Sequence, residues 1–410
     1  MSRLIGIRHR IKRTTEGKER PTQVAIKASG AIMAYELESE QEELDFLLGR
    51  LPSAWRAAVE GEDLSVFPPH HVIKKKDADG KIVDTVPAAY EGFRAGDTAL
   101  FLLGGSGDRF ASALSRRGEE IRSLVFRIPA YALKARRTDE QTKEDDSLTL
   151  ISIFEQEPSA FYLLDPADRD LIAVKESLYA RRDAQKARIA CQQRLRQRFI
   201  GEIFLSADGR FPEGSIEDAW NERKANDQTL QLLIKEEKYA EGQLKTAVQK
   251  IPVWQEVLSG VEGVGEVIAA GIIGPIGDVR RFATQWKFNK FCGTHVLLDG
   301  RFPRRRAREY SGYNPWVRQS LYLFSGQAEY RPDSVWGQRL LEIKKLYQEQ
   351  HPEPVTVEVN AKTVKKYTKG HIRKMAKWRL LTEFVLWLYG EWKGVAEKNS
   401  QRPAASEPAA

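Results

Sequence analysis

The sequence predicts an α/β domain followed by an all-α region, and three observations carry that reading. Short apolar strands alternate with helical patterns up to about residue 160. From Asp165 to Lys250 a helical period runs nearly unbroken and glycine is scarce. Beyond Ile251 the composition shifts toward glycine, then toward arginine and aromatics. A chain of 410 residues is also too long for one ordinary core.

The elements follow in order. "LIGIR" (4–8) is a short apolar strand. "TQVAIK" and "AIMAYEL" are alternating runs joined by the three-residue turn "ASG", which ends in Gly30 and signals a hairpin. "EQEELDFLLGRL" has helical spacing, and "HHVIKKKDADGKIVDTV" reads as an exposed hairpin turning at Asp79 and Gly80. "DTALFLLGG" is a continuous apolar strand ending in glycines, followed by the helix "DRFASALSRRG" and the strand "IRSLVFRIP". This order describes a mixed sheet flanked by helices over residues 1–160, as in the ribonuclease-H-like fold.

Residues 161–250 are expected to form a long helical hairpin, a coiled-coil linker divided at "SADGRFPEGS", with Ser215 as N-cap of its second arm. The first arm, "YARRDAQKARIACQQRLRQRF", is strongly basic. A solvated coiled-coil face and a nucleic-acid contact are both open for it. Residues 251–395 form a second, α-rich domain, and 396–410 a low-complexity, disordered tail.

The composition, 41% hydrophobic and 30% charged, fits a soluble globular protein. No apolar run is long enough to span a membrane, and "MSRLIGIRHRIKR" lacks a secretory signal, so a cytoplasmic location is expected. Cys191 and Cys292 stand far apart, which argues against a disulfide scaffold or a structural zinc site. The formal net charge of +8 makes a polyanion the natural partner. Distribution says more than the total: Lys362 to Arg379 holds eight Lys or Arg and no acid, and "FPRRRAR" is similarly one-sided.

"VEGVGEVIAAGIIGPIGDVRRF" places Gly263 and Gly265 between two short helices, a helix-hairpin-helix pattern. The glycines permit a tight turn, and the following helix offers free N–H groups to a phosphate without reading sequence. The competing role is a glycine-rich connection packed for close approach. The motif has neither the preceding strand nor the GK[ST] ending of a nucleotide-binding loop, so no nucleotide cofactor is expected. "YTKGHIRKMAKWRLLTEFVLWLYGEWK" reads as an amphipathic helix with Ile372, Met375, Ala376, Leu380, Phe384, Trp387 and Leu388 inward. Lys369, Arg373, Lys374 and Lys377 then project outward toward backbone phosphates. The six histidines, His9, His70, His71, His295, His351 and His371, show no close ligand pattern.

The stretch from Val261 to about Lys393 resembles the transposase domain of the "one-ten" family of bacterial insertion sequences. The matching features are "GVGEVIAAGIIGPIGDVRRF", "FNKFCGTH" and "SGYNPWVRQSL". The N-terminal part resembles that family's ribonuclease-H-like domain, which is similar to Holliday-junction resolvases. The resemblance implies a DNA recombinase acting on double-stranded DNA as a homo-oligomer and guided by a structured bridge RNA. It also implies four N-terminal acids that hold Mg²⁺ and a nucleophilic serine in the C-terminal domain.

By position, the first acid should end "LIGI" and the second "LFLL", but Arg8 and Gly104 stand there, with Asp108 a helical turn later. Asp145 is the candidate for the third, and the fourth falls near Leu148, with Asp146 close by. A guanidinium at the central position repels cations, and two Mg²⁺ ions need several carboxylates. The serine maps to Ser311, before Gly312 and seven residues before Arg318. Its attack on a phosphodiester needs guanidinium groups, which Arg304, Arg305, Arg306, Arg308 and Arg318 could supply. The competing role for Ser311 is a helix N-cap. The leading function is thus a transposase of a mobile element. A catalytically degenerate nucleic-acid-binding relative and a structured-RNA-binding protein without DNA chemistry are the alternatives.

Overall fold

The structure, a computed structural model, describes residues 3–10, 20–76, 80–104, 106–138, 142–209, 212–297, 302–304, 312–359 and 362–400. The chain divides into two units, Met1–Asp165 and Pro166–Ala410.

In the first unit β1 (Leu4–Arg8) is flanked by β2 (Thr22–Ala28), antiparallel, and on its other side by a later parallel strand. β3 (Ala31–Leu37) continues the meander, joined to β2 by a two-residue turn at Ser29 (φ 49°) and Gly30 (φ 86°). That turn is one residue shorter than expected, because Ala28 still pairs with Ala31. α1 (Glu40–Leu47) follows, capped by Ser39. An insert then forms its own antiparallel sheet from β4 (Leu51–Ala57), β5 (Ile73–Lys76) and β6 (Ile82–Glu91), in the order β4-β6-β5. β7 (Thr98–Leu103), α2 (Asp108–Ile121) and β8 (Leu124–Pro129) make a parallel β-α-β unit. α3 (Ala130–Arg136), α4 (Asp146–Gln156) and the short edge strand β9 (Tyr162–Leu163) complete the unit.

The main sheet order, β3-β2-β1-β7-β8-β9, is mixed, with helices packed against it, consistent with the expected ribonuclease-H-like arrangement. α4 lies hard against β1: a Cβ on Gly6 would meet the Ser147 carbonyl oxygen at 1.8 Å. One core forms around Ile5, Ile7, Phe46, Phe101 and Leu114, and another around Leu100, Ile128, Leu150 and Ile151.

The second unit opens with α5 (Pro166–Phe204), which pairs with α6 (Ile216–Asn226) and α7 (Gln228–Gln249). Ser215 caps α6, as expected. The second arm is interrupted, however, because Asp227 ends α6 and caps α7. α8 (Pro252–Glu256), α9 (Glu266–Ile276), α10 (Gln285–Cys292), α11 (Pro315–Tyr330) and α12 (Val335–Gln350) follow. The antiparallel hairpin of β10 (Val355–Val359) and β11 (Lys362–Lys366), absent from the sequence expectation, precedes α13 (Lys369–Ser400). α13 therefore runs five residues beyond the boundary expected at 395, and residues 401–410 of the expected tail lie outside the described residues.

α9 is the central rod of this unit: Ala269 through Ile276 are all buried. Its small residues allow that. A Cβ on Gly271 would meet Ser320 Oγ of α11 at 2.0 Å, and one on Gly274 would meet Leu178 of α5 at 3.1 Å. The base of the α5–α7 hairpin (Val174, Leu178, Leu244, Val248) shares the core with Phe288, Phe324, Phe384 and Leu388. The base of the hairpin is thus packed into the core of the second unit.

Candidate nucleic-acid interface

At the ends of β1 and β7 in the first unit, Arg8 and Gly104 stand where metal-binding carboxylates were expected. Arg8 closes β1; its Nε and Nη1 are buried with no hydrogen-bond partner among the described residues. Gly104 follows β7, and its N–H is accepted by Asp108 Oδ1 at 3.2 Å. Arg127 of β8 also approaches Asp108 Oδ1, at 3.6 Å. On α4, Asp146 accepts two parallel bonds from Arg137. Burial pushes the Asp146 carboxyl above the ordinary range, against the pull of Arg137 and of Arg8. Asp145 is turned to solvent and closes a capping box: its Oδ2 accepts the Thr142 N–H at 2.8 Å and the Thr142 hydroxyl at 2.9 Å. Leu148 is exposed. This donor set presents nitrogen cations to the carboxylates, and does not fit a pair of Mg²⁺ ions held by oxygens.

The histidine expectation is corrected here. His9 binds Glu43 through Nε2 at 3.2 Å and faces Ser106 Oγ through Nδ1 at 3.0 Å. His70 and His71 converge on Asp45, a grouping hidden in the sequence because the acid lies 25 residues away on a helix. The available signal was the adjacent pair "HH" together with an acid on the buried face of α1.

In the second unit Gly263, at φ 89°, turns the chain into α9, and a Cβ there would meet Gln327 Cβ of α11 at 2.8 Å. Gly265 is the N-cap of α9, with open space around its Cα. The turn therefore packs closely at Gly263 and leaves the helix start at Gly265 accessible.

Arg305, Arg306, Arg308 and Ser311 lie outside the described residues. Their described flanks are held in one patch. Arg318 donates to the Pro303 carbonyl, and its guanidinium sits 4.6 Å from the ring centre of Tyr313 and 4.3 Å from that of Trp378. Trp378 in turn stacks on Phe302 at 5.0 Å. Burial lowers the Arg318 pKa, and neighbouring Arg304, which is exposed, adds to that. On the other flank the Asn314 N–H donates to Phe291 O at 2.8 Å. Asn314 is the N-cap of α11, its Oδ1 accepting from Trp316 and Val317, with Pro315 in the first turn. The N-cap of α11 is thus Asn314, and the N-cap expectation for Ser311 lies outside the described residues.

α13 turns Ile372, Ala376, Leu380, Phe384 and Leu388 inward, with Met375 and Trp387 only partly buried. Lys369, Arg373 and Lys374 are exposed. Lys377 departs from the expected outward position: its side chain is 12% exposed and bonds Glu329 Oε2 at 2.7 Å. Glu329 also binds Arg373. The run that carries no acid in the sequence thus meets one from α11 in space, and the paired cations hold that carboxyl down at about 2. The basic arm of α5 is likewise partly balanced: Arg181 and Arg188 pair with Glu237 of α7, and Arg196 with Glu217 of α6. Burial pushes the Cys292 thiol up, away from the reactive thiolate form.

Residues 255–339 match the family model described as "Transposase IS116/IS110/IS902 family". The matched stretch runs from α8 into α12 and includes the glycine turn, α9 and Arg318 with Tyr313, while Trp378 lies beyond it. The match supports a transposase function and, with it, an interaction with DNA. No curated protein matches the chain. Among the described residues no helix is long and apolar enough to cross a membrane.

Proposed function

We propose that this chain is a DNA transposase of the one-ten type that cuts and rejoins double-stranded DNA through Ser311, working as a homo-oligomer with a structured guide RNA. One observation supports the serine reading above the rest: a half-buried guanidinium, Arg318 of the family-matched segment, fixed between Tyr313 and Trp378 and tied to Pro303. A dehydrated guanidinium with fixed geometry stabilises charge on a transferring phosphoryl group better than a mobile one. Ser311 Oγ would attack phosphorus, forming a phosphoserine bond and releasing the deoxyribose hydroxyl. The serine proton leaves with the solvent or the departing oxygen. Arg304, Arg305, Arg306 and Arg308 would hold the same backbone, and the N–H groups after Gly265, with Lys369 and Lys374, a neighbouring phosphate.

Arg8 and the Arg137–Asp146 pair stand where carboxylates would have to gather to hold Mg²⁺. That same observation favours a second reading, in which the first unit binds phosphates without cutting.

The test is a nicked duplex incubated with the full chain and resolved under denaturing conditions. A covalent protein–DNA species with the wild type and none with Ser311→Ala is expected, with duplex affinity unchanged in the variant. An adduct that persists in Ser311→Ala assigns the attack to another residue, and the absence of any adduct favours the second reading.

A further inference from the structure

Asp45 is a buried acid on α1, its side chain 3% exposed, and it must be compensated where it sits. Arg50 Nε donates to its Oδ1 at 2.9 Å. Three nitrogens crowd the other oxygen: His70 Nε2 at 2.9 Å, His71 Nε2 at 3.1 Å and Gln41 Nε2 at 3.3 Å. A carboxylate oxygen has two lone pairs, so three N–H donors over-subscribe it. Gln41 Nε2 also lies 3.1 Å from His70 Nε2, where two donors would oppose each other. Turning the amide brings its oxygen toward the cluster instead.

The histidines are adjacent in sequence, and the short helical turn Pro69–His71 makes them converge, with ring centres 4.2 Å apart. On the far side of His71, Nδ1 faces the Tyr90 hydroxyl of β6 at 3.4 Å, a contact that can fix the ring while Nε2 points inward. The two imidazole nitrogens and the carboxylate oxygen all lie within 4.8 Å of one another.

We infer that Asp45, His70 and His71 bind one divalent transition cation of the zinc class, with Gln41 or water in the fourth position. Two imidazoles and one carboxylate suit Zn²⁺ or Co²⁺ and disfavour Mg²⁺. Tetrahedral coordination separates ligand atoms by about 3.3 Å, so the two nitrogen–oxygen edges, at 2.9 and 3.1 Å, need open by only a few tenths of an ångström. Arg50 orients the carboxylate from outside. His70 is the exposed member, its side chain 38% accessible, and gives the cation a way in. The bound ion would clip the inserted β4–β6 sheet to α1.

The experiment uses tag-free full-length protein, stripped by chelator and desalted, then titrated with Zn²⁺ by calorimetry and with Co²⁺ by visible absorption. We expect one Zn²⁺ per chain, a four-coordinate Co²⁺ spectrum, and binding at least about tenfold weaker in His70→Ala. His70 is the variant of choice because its exposure leaves the fold intact, checked by circular dichroism; Asp45→Asn is the companion. Absence of Zn²⁺ uptake by the wild type, or uptake by His70→Ala with wild-type stoichiometry and affinity, overturns the site.

Discussion

Arg137 grips Asp146 through two parallel bonds, Nε to Oδ1 at 2.8 Å and Nη2 to Oδ2 at 2.7 Å. The acid is largely buried at the start of α4, so its charge depends on that partner. Arg137→Ala should cost about 3 kcal/mol near neutral pH, the order expected when one member of a buried pair is removed. The sign with pH follows from the raised carboxyl: a protonated Asp146 is the form the fold prefers, so the deficit should shrink as the solution is acidified. Urea unfolding of both proteins at neutral and acidic pH measures it. A deficit that does not change with pH would mean Asp146 is not the group left stranded.

Mg²⁺ should not bind tightly to the wild-type chain. Arg8→Asp alone should not create tight binding either, because Arg137 still holds Asp146. Calorimetric titration that finds micromolar Mg²⁺ affinity, lost in Asp145→Asn, would restore the carboxylate site.

Asn314 and Ser311 should separate cleanly in stability. Asn314→Ala loses a cap that serves two N–H groups and should cost about 1 kcal/mol. Ser311→Ala should change stability by less than about 0.5 kcal/mol. Denaturant midpoints decide the matter, and equal losses would return a structural role to the serine.

Glu329 restrains two cations, so Glu329→Gln should act on stability and binding in opposite directions. Its carboxyl is held at about 2 against an ordinary 4.5, so its contribution is complete above the ordinary value and lost as pH falls through about 2. The partly exposed network makes that contribution about 1 kcal/mol near neutral pH. Freed from it, Arg373 and Lys377 should steepen the salt dependence of duplex binding by up to about two units of log–log slope. Coincident slopes for variant and wild type would place this face of α13 away from the nucleic acid.

Gly6→Ala should be among the most disruptive single changes in the first unit, since the added carbon overlaps the Ser147 backbone. A loss of about 2–3 kcal/mol is expected, read from thermal unfolding.

Strand and helix positions were legible wherever an apolar period ran without interruption, as in β1, β7, α2 and α9. β4 was not, because "LPSAWRA" carries a proline and only its first residue is buried. The β10–β11 hairpin was missed because the lysines of "KTVKK" read as part of a basic run, although "VTVEV" alternates. At the site, residue types were readable but partners were not. Glu329 meets Arg373 and Lys377 across 44 and 48 residues, Arg318 meets Trp378 across 60, and Asp45 meets the two histidines across 25 and 26. Each of these is fixed by helix packing, which a linear pattern does not record. Gly263 and Gly265 could be read as a turn into a helix, but the close packing of Gly271 and Gly274 against α11 and α5 could not, because their partners lie far off in sequence.

The 39 residues of α5 make a helix of about 58 Å. Its root is cemented by Val174 and Leu178, and its far end by a separate apolar knot of Leu195, Phe199, Ile203, Trp220 and Leu230. From Leu178 to Phe199 the axis advances about 32 Å, close to one turn of B-form duplex. Between these two anchorages the arms are stitched by Arg181 and Arg188 against Glu237 and Glu241. The hairpin is therefore a strut with an apolar anchorage at each end and an ionic mid-span. Ionic strength that strips DNA from the protein should also slacken the strut, so the reach of the molecule and its grip on a polyanion would fade together.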